Sequence, residues 1–188
     1  AMNFSVLITL ISYPIATSLF PAFSKVSIND HRDSVEKMFK LSIKYTSLLI
    51  VPTSLLVALM SREAVYTLYG PEYWLAPSYL TLYILSFLYV GLGMFVLDNF
   101  FNGQGDTKAT FKMSLINLLT SIPLAPTLTL YYNVLGLIAS ILISQLLSIS
   151  YGLYLARKRY SINPDWEPIT RMGFASLVSA LLVYITLN

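Results

Sequence analysis

The sequence predicts an all-α integral membrane protein, a bundle of six transmembrane helices in a single membrane domain over residues 1–188. Apolar residues make up 56% of the chain and charged residues 11%, whereas soluble domains average about 45–50% and about 25%. Uncharged runs long enough to cross a bilayer recur along the chain, and lysine and arginine cluster in alternate connections between them. These three observations together exclude an ordinary soluble domain.

The uncharged runs set the number of spans, and they cover residues 2–24, 45–61, 73–97, 113–156 and 172–188. A helix needs about 20 residues to cross the hydrocarbon, so the run at 113–156 must hold two spans. An amphipathic helix with a basic opposite face is predicted at about 29–42, lying at the headgroup level before the second span. The predicted spans are about 3–23, 43–60, 77–100, 109–131, 134–156 and 169–187.

The basic residues predict the orientation. When alternate connections are assigned to alternate sides of the membrane, 11 of the 12 lysines and arginines fall on one side and only Arg62 on the other. By the positive-inside rule the basic side is cytoplasmic, which places both ends of the chain on the non-cytoplasmic side. The net charge of +3 therefore reflects topology, and nucleic-acid binding is not expected.

Several predicted spans contain proline, which removes a backbone hydrogen bond and bends a helix. Such bends are tolerated in membranes where neighbouring groups satisfy the freed carbonyls. A bendable helix beside a cavity and an incidental kink both fit this pattern. The candidate kinks are Pro14, Pro52, Pro123 and Pro126.

The fourth and fifth spans each carry a distinct face. Asn117 and Ser121 lie on a polar face of the fourth span. Small residues recur every four positions in the fifth span, a pattern typical of helix packing, and they are Gly136, Ser140, Ser144, Ser148 and Gly152. Gln145, in the middle of that span, is either a polar cavity residue or a hydrogen-bonding partner for another helix.

The stretch NGQGDTK, residues 102–108, predicts a tight helix-to-helix turn. Gly103 and Gly105 supply backbone freedom, and Asp106 or Thr107 caps the following helix. A lone G-x-G without a preceding strand is weak support for a nucleotide site.

Catalytic and metal-binding constellations are missing from the sequence. The chain has no cysteine and a single histidine, His31, so thiolate and multi-histidine metal sites are not expected. Its nine acidic residues lie mainly in connections, near basic neighbours. We therefore predict no enzyme activity, no metal and no cofactor.

Several motifs in order resemble the polysaccharide and oligosaccharide-lipid flippases of the multidrug/oligosaccharidyl-lipid/polysaccharide exporter superfamily. The matching stretches are YPIATSLFPAFSK, YGPEYWLAPSYLTLYILSFL, NGQGDTKATFKMSLINLLTSIPL and YYNVLGLIASILISQLLSISYGLYLARKRY. They cover most of residues 14–160, and their order is more specific than any one of them.

The resemblance implies that the six spans form most of the second lobe of a two-lobe flippase and that the chain is part of a longer protein. The implied function is translocation of a lipid-linked oligosaccharide or polysaccharide repeat unit by alternating access. The implied partners are a polyprenyl-linked glycan, membrane lipid and the missing first lobe. The alternatives are a cation-coupled multidrug exporter of the same superfamily and a non-transporting membrane scaffold.

The resemblance also suggests where substrate would contact this lobe. A polar cavity face would include Thr17, Asn117, Ser121 and Gln145, and Lys44 could offset a phosphate charge. Lys44 lies at a predicted helix end, where it could equally extend to the headgroups without contacting substrate.

Overall fold

The computed structural model describes residue 14, residues 18–28, residues 31–163 and residue 170, and in these parts the chain forms helices and no strand. An apolar helix satisfies its own backbone hydrogen bonds, which is why apolar runs of this length fold in this way. The helices are α1 (Arg32–Leu59), α2 (Ser61–Tyr69), α3 (Ala76–Ile84), α4 (Met94–Gly103) and α5 (Thr107–Tyr160), with 3₁₀-helices at Pro71–Tyr73 and Leu85–Leu92. Most of the predicted first span, and all but Thr170 of the sixth, lie outside the described residues.

Helix α1 joins the predicted amphipathic helix and the predicted second span in 28 continuous residues. The helix continues without a break at residue 43, and Val35, Phe39 and Ile43 lie on one face, all buried in the protein core. This face of the helix thus packs against protein. Pro52 lies inside the helix and does not end it.

The predicted third span is broken. Helix α3 continues as the 3₁₀-helix Leu85–Leu92, and at Gly93 the axis turns by 45° into α4. Gly93 has φ 89°, a left-handed conformation that glycine adopts without a steric penalty. A Cβ at this position would lie 3.2 Å from Ile43 Cδ1, so the missing side chain also allows α1 to approach.

Helix α5 folds back on itself at Asn133, where φ 51° and ψ −133° interrupt the helical backbone. Ser148 Oγ donates to the carbonyl of Met113 over 2.8 Å, and Arg159 Nη1 pairs with Asp106 Oδ2 at 2.5 Å. These contacts join the start of α5 to its end, so residues 107–132 and 134–160 form two antiparallel limbs, here called the first and second limbs. Pro123 and Pro126 lie in helical backbone of the first limb, and the interruption falls at neither.

The predicted small-residue stripe is the packing face of the second limb. All five of its residues are buried. A Cβ at Gly136 would lie 1.9 Å from the Leu128 carbonyl oxygen, and one at Gly152 would lie 2.7 Å from Met113 Cε. Glycine at these two positions lets the limbs approach closely.

Two hydrophobic clusters form the interior of the described part. The basic-end cluster comprises Phe23, Val35, Phe39, Ile43, Val96, Leu97, Phe100, Phe101, Ala109, Met113, Ile149, Leu155, Ala156 and Ile162. The second cluster comprises Ile50, Val65, Leu80, Ile84, Phe87 and Val90. The boundary between the clusters crosses α1 between Ile43 and Ile50, and crosses the bent helix between Val90 and Val96.

Two of the described helices, α1 and α5, are long and apolar enough to cross a membrane, and the bent pair of α3 and α4 would be a third span if counted as one. The described part is therefore an all-helical fold with membrane-spanning elements. Large apolar side chains that face outward are expected in such a fold, because lipid tails replace water around it. Leu130 and Tyr131, beside the Asn133 turn, are 84% and 81% exposed.

Candidate substrate-facing cavity

A cavity of about 470 Å³ lies between α4 and the two limbs of α5. Each element contributes residues one helical turn apart, which places them on the same face. Helix α4 carries Met94 and Asp98, the first limb carries four lining residues and the second limb three. The full lining is Met94, Asp98, Met113, Ser114, Asn117, Leu118, Gln145, Ser148 and Ile149.

The polar residues of this cavity differ in whether their hydrogen bonds are satisfied. Ser148 donates to the Met113 carbonyl and thereby holds the two limbs together. Gln145 Oε1 is buried and has no hydrogen-bond partner among the described residues. Because buried polar atoms are usually paired, this amide oxygen is an acceptor available to a ligand.

Asp98 makes no ion pair with any of the described residues. Among the described residues that line the cavity it is the only ionisable one, and the others include amides and hydroxyls. These described residues can therefore offer hydrogen-bond donors and acceptors to a polar ligand, and none of them is a lysine or an arginine. This chemistry suits hydroxyl and amide groups better than it suits a bare phosphate.

The structure brings some of the predicted substrate-facing residues together and separates others. Asn117 and Gln145 line the cavity from opposite limbs. Ser121 is outside the lining and donates to the Leu118 carbonyl within its own helix, and Lys44 is exposed on α1. Thr17 lies outside the described residues.

Sequence reasoning left out Asp98, Ser114 and Ser148 as cavity residues. Asp98 has the clearest signal, because an ionisable residue inside an apolar helix is a functional candidate by default. Ser114 precedes Asn117 by three positions and was readable as part of the same face. The sequence assigns Ser148 only to the packing stripe. Its location at the edge of the cavity as well depends on how the two limbs pack against each other.

The turn before α5 is held by polar contacts beside the basic-end cluster. Gly105 has φ 77°, whereas Gly103 is the last residue of α4 and a Cβ there would lie 2.6 Å from Phe23 Cβ. Between them, Gln104 Nε2 donates to the carbonyls of Phe23 and Val26 over 2.7 and 2.8 Å, and Gln104 Oε1 accepts from the amide of Ile28 over 2.9 Å. The turn thus fixes residues 23–28.

Asp106 is the cap of α5 and closes the open end of its hairpin. Its carboxylate accepts from the Ala109 amide, from Arg159 and, over 3.1 Å, from the Tyr160 hydroxyl. Desolvation alone would raise the pKa of Asp106, but the hydrogen bonds from Arg159 and Tyr160, with the Arg159 charge and the Ala109 amide, lower the pKa below its ordinary value. The carboxylate is therefore ionised at neutral pH.

Within the described ranges, no three histidine, cysteine, aspartate or glutamate side chains lie close enough together to hold a metal ion. Asp98, before the turn, lines the cavity, whereas Asp106, after the turn, pairs with Arg159. The described lining thus offers hydrogen-bonding groups and one carboxyl group, that of Asp98.

Comparison with known proteins identifies relatives of this arrangement. The family model described as "Lipid II flippase MurJ" matches residues 2–187. A solved structure described as "Lipid II flippase MurJ, inward closed conformation" superposes with a TM-score of 0.81 at 18% sequence identity, covering 98% of this chain and 39% of that chain. No curated protein matches significantly. The chain thus spans about two fifths of the length of the solved structure, and at this identity the likeness concerns the fold.

Proposed function

Because this chain belongs to the MurJ lipid II flippase family, we propose that it forms one lobe of a longer transporter that moves lipid II, a lipid-linked precursor, across the cell membrane. The observation that carries this proposal is the family match over residues 2–187. The solved relative is longer than this chain, which covers 39% of it. The remaining lobe of the transporter would be a partner within the same protein.

We further propose a topology of six spans for this lobe. Each limb of α5 would cross once, since each limb is long enough to span and the Asn133 turn connects the end of the first to the start of the second. The bent pair of α3 and α4 would cross once. The end of the bundle that carries Lys108, Arg157 and Arg159 would face the cytoplasm, with both ends of the chain on the other side.

The cavity gives the lobe a means of holding the polar part of a lipid-linked substrate. The sugar and amide groups of that part would bond to Asn117, Gln145 and Asp98, while the lipid tail stays in the bilayer. Rocking of two lobes around such a site exposes it to one side and then the other. The substrate leaves chemically unchanged, so the proposal requires no catalytic residue in this chain.

Charge limits what this lobe does alone. The described residues that line the cavity include the carboxyl group of Asp98 and no lysine or arginine, so they supply no positive charge to a phosphate. We propose that the phosphate groups are neutralised elsewhere in the longer protein, and that this lobe recognises the uncharged polar portion. Lys44, exposed on α1, is not among these lining residues.

Reconstitution of the full-length protein into vesicles containing lipid II tests the proposal. We expect lipid II to reach the outer leaflet faster than in protein-free vesicles. The double variant Asn117→Ala and Gln145→Ala should lower the rate by about tenfold, since each lost hydrogen bond is worth about 0.5–1.5 kcal/mol. Ser150→Ala, on an exposed part of the second limb, is the matched control and should leave the rate unchanged.

The outcomes separate the alternatives. Absence of lipid II translocation by folded full-length protein would overturn the flippase proposal and favour a membrane scaffold. Export of lipophilic cations without lipid II movement would favour a multidrug exporter. Equal rates for the double variant and wild type would leave translocation in place but remove the cavity from the pathway.

A further inference from the structure

We propose that the described part of this protein consists of two bodies that move against each other about a hinge at Gly93 and at the middle of α1. The inference rests on the proposed function for its biological purpose, because the movement would reshape the cavity during transport. Its physical basis is separate and comes from the backbone of the bent helix, the division of the core and one buried hydroxyl.

The 3₁₀-helix Leu85–Leu92 is eight residues long, whereas such helices rarely exceed 3–4 residues. A 3₁₀-helix within a span often marks a hinge, because its hydrogen-bond geometry is poorer than that of an α-helix. Conversion of eight residues to α-helix would shorten the segment by about 4 Å, since the rise per residue falls from about 2.0 to 1.5 Å. The segment can therefore exchange between the 3₁₀ form and the α-helical form while it remains helical.

Gly93 ends this segment in a left-handed conformation, and the axis bends there by 45°. Glycine can occupy the left-handed and the right-handed regions with similar ease. The residue can thus adopt the backbone of the bent form or that of a straight helix. Helix α4 follows directly and carries Met94 and Asp98 in the cavity wall, so any change at Gly93 moves that wall.

The hydrophobic core divides at the same place. Val90, before Gly93, belongs to the second cluster, and Val96, after it, belongs to the basic-end cluster. Packed cores resist continuous deformation and tend to move as units. A hinge between two clusters leaves each of them intact.

Helix α1 crosses the same boundary between the clusters, and two of its residues there lack a hydrogen bond. Ser47 lies between Ile43 of one cluster and Ile50 of the other, is 1% exposed, and its hydroxyl has no hydrogen-bond partner in the described part of the chain. Pro52, a turn further on, has no N–H to donate to the carbonyl of residue 48. An unsatisfied hydroxyl disfavours the observed bent form, and the missing backbone bond makes α1 easier to bend.

The hinge can be measured by spin labels in the full-length protein, because this chain contains no cysteine and any cysteine elsewhere can be replaced. The pairs Ser78 with Thr107 and Thr67 with Thr107 lie across the hinge, and all three positions are exposed. Ser34 with Thr107 is the control pair within the basic-end body. Straightening the 45° bend would move the far end of the ten-residue helix α4 sideways by about 10 Å.

We expect Gly93→Ala to favour the straight form, since alanine is strained at φ 89°. At least one cross-hinge distance should then shift by about 5 Å or more, given the length of α4, while the control pair keeps its distance. Gly70→Ala is the matched control variant, because Gly70 also has a positive φ, 90°, but a Cβ there would meet no atom within 4 Å. Ser47→Ala should shift the populations the opposite way, toward the bent form.

Cross-hinge distances that stay unchanged in Gly93→Ala, in protein whose control pair shows the native distance, would overturn the proposal. So would a shift of equal size in Gly70→Ala. These measurements need no substrate. Adding lipid II to wild-type protein then separates the two proposals. Translocation with unchanged cross-hinge distances would overturn the hinge proposal and leave the proposed function in place. Hinge movement without translocation would overturn the proposed function and leave the hinge proposal in place.

Discussion

The basic-end cluster and the second cluster are both hydrophobic, but in the described part of the chain the first has more polar contacts around its edge. Phe100 packs edge-on against Phe23, Phe39 and Tyr160, with ring centroids 5.2–5.6 Å apart. Gln104 adds three hydrogen bonds to this region, and Arg32 donates to the carbonyl of Ser161.

The second cluster has fewer described members, only one of which is aromatic, and two of them, Phe87 and Val90, lie in the 3₁₀-helix. Its notable polar contacts are the hydroxyl pair Ser61 and Thr81, 2.9 Å apart, and the bond from Thr81 to the Ala58 carbonyl. The contrast indicates that the basic end of the described part is held by more packing and polar contacts than the other end.

The largest loss of stability is expected from Phe100→Ala. Phe100 is fully buried at the centre of the aromatic packing, and removal of such a ring costs about 3–5 kcal/mol. Denaturant unfolding of the full-length protein in detergent measures the change. Phe111→Ala, at a position 67% exposed, is the control and should have little effect; similar losses for both variants would contradict the role given to the basic-end cluster.

Gln104→Ala should have the next largest effect. It removes three hydrogen bonds to residues 23–28, each with a net value of about 0.5–1.5 kcal/mol, and it should loosen that segment before the rest of the lobe. Hydrogen exchange is the direct measurement, with faster exchange expected at the amide of Ile28. Unchanged protection at Ile28, when compared with a Thr107→Ala control, would show that the phenylalanine packing alone holds the segment.

Asp106→Asn should weaken the closure of the α5 hairpin by about 0.2–1 kcal/mol, because asparagine can still cap the helix but loses the charge that pairs with the partly exposed Arg159. The same group predicts a pH dependence. The folded pKa of Asp106 is lower than the unfolded value, so its stabilising contribution is fully present above the ordinary aspartate pKa and is lost as the pH falls through the lowered one.

Unfolding measured from pH 6 to about pH 3 should therefore show a smaller acid-induced loss in Asp106→Asn than in wild type. Identical pH profiles for the two proteins would contradict the importance of the Arg159 and Tyr160 contacts.

The smallest effect is expected from Lys40→Ala. Lys40 and Glu36 form an i,i+4 ion pair of 2.7 Å on the surface of α1, with side chains 38% and 23% exposed. Such pairs contribute about 0.3–0.5 kcal/mol and weaken with salt. A loss above about 1 kcal/mol, well outside this range, would contradict the minor contribution assigned to this exposed pair.

The sequence alone determined the class of the protein and much of its local structure. Apolar runs without charge need a membrane or a helical interior, so the all-helical membrane fold follows from composition and length. The family could be suspected from the order of motifs, and the family match confirms it. The packing stripe from Gly136 to Gly152 was also readable, because a four-residue spacing places small residues on one face of a helix.

The tertiary structure alone decided which residues meet. The cavity joins Asp98 of α4 to Asn117 and Gln145 of separate limbs, and Gln104 bonds to backbone groups 76 to 81 residues away along the chain. Helical periodicity assigns a residue to a face, but it carries no information on the element that packs against that face. For the same reason the left-handed backbone at Gly93, with Ile43 packed beside it, is evident only in the tertiary structure.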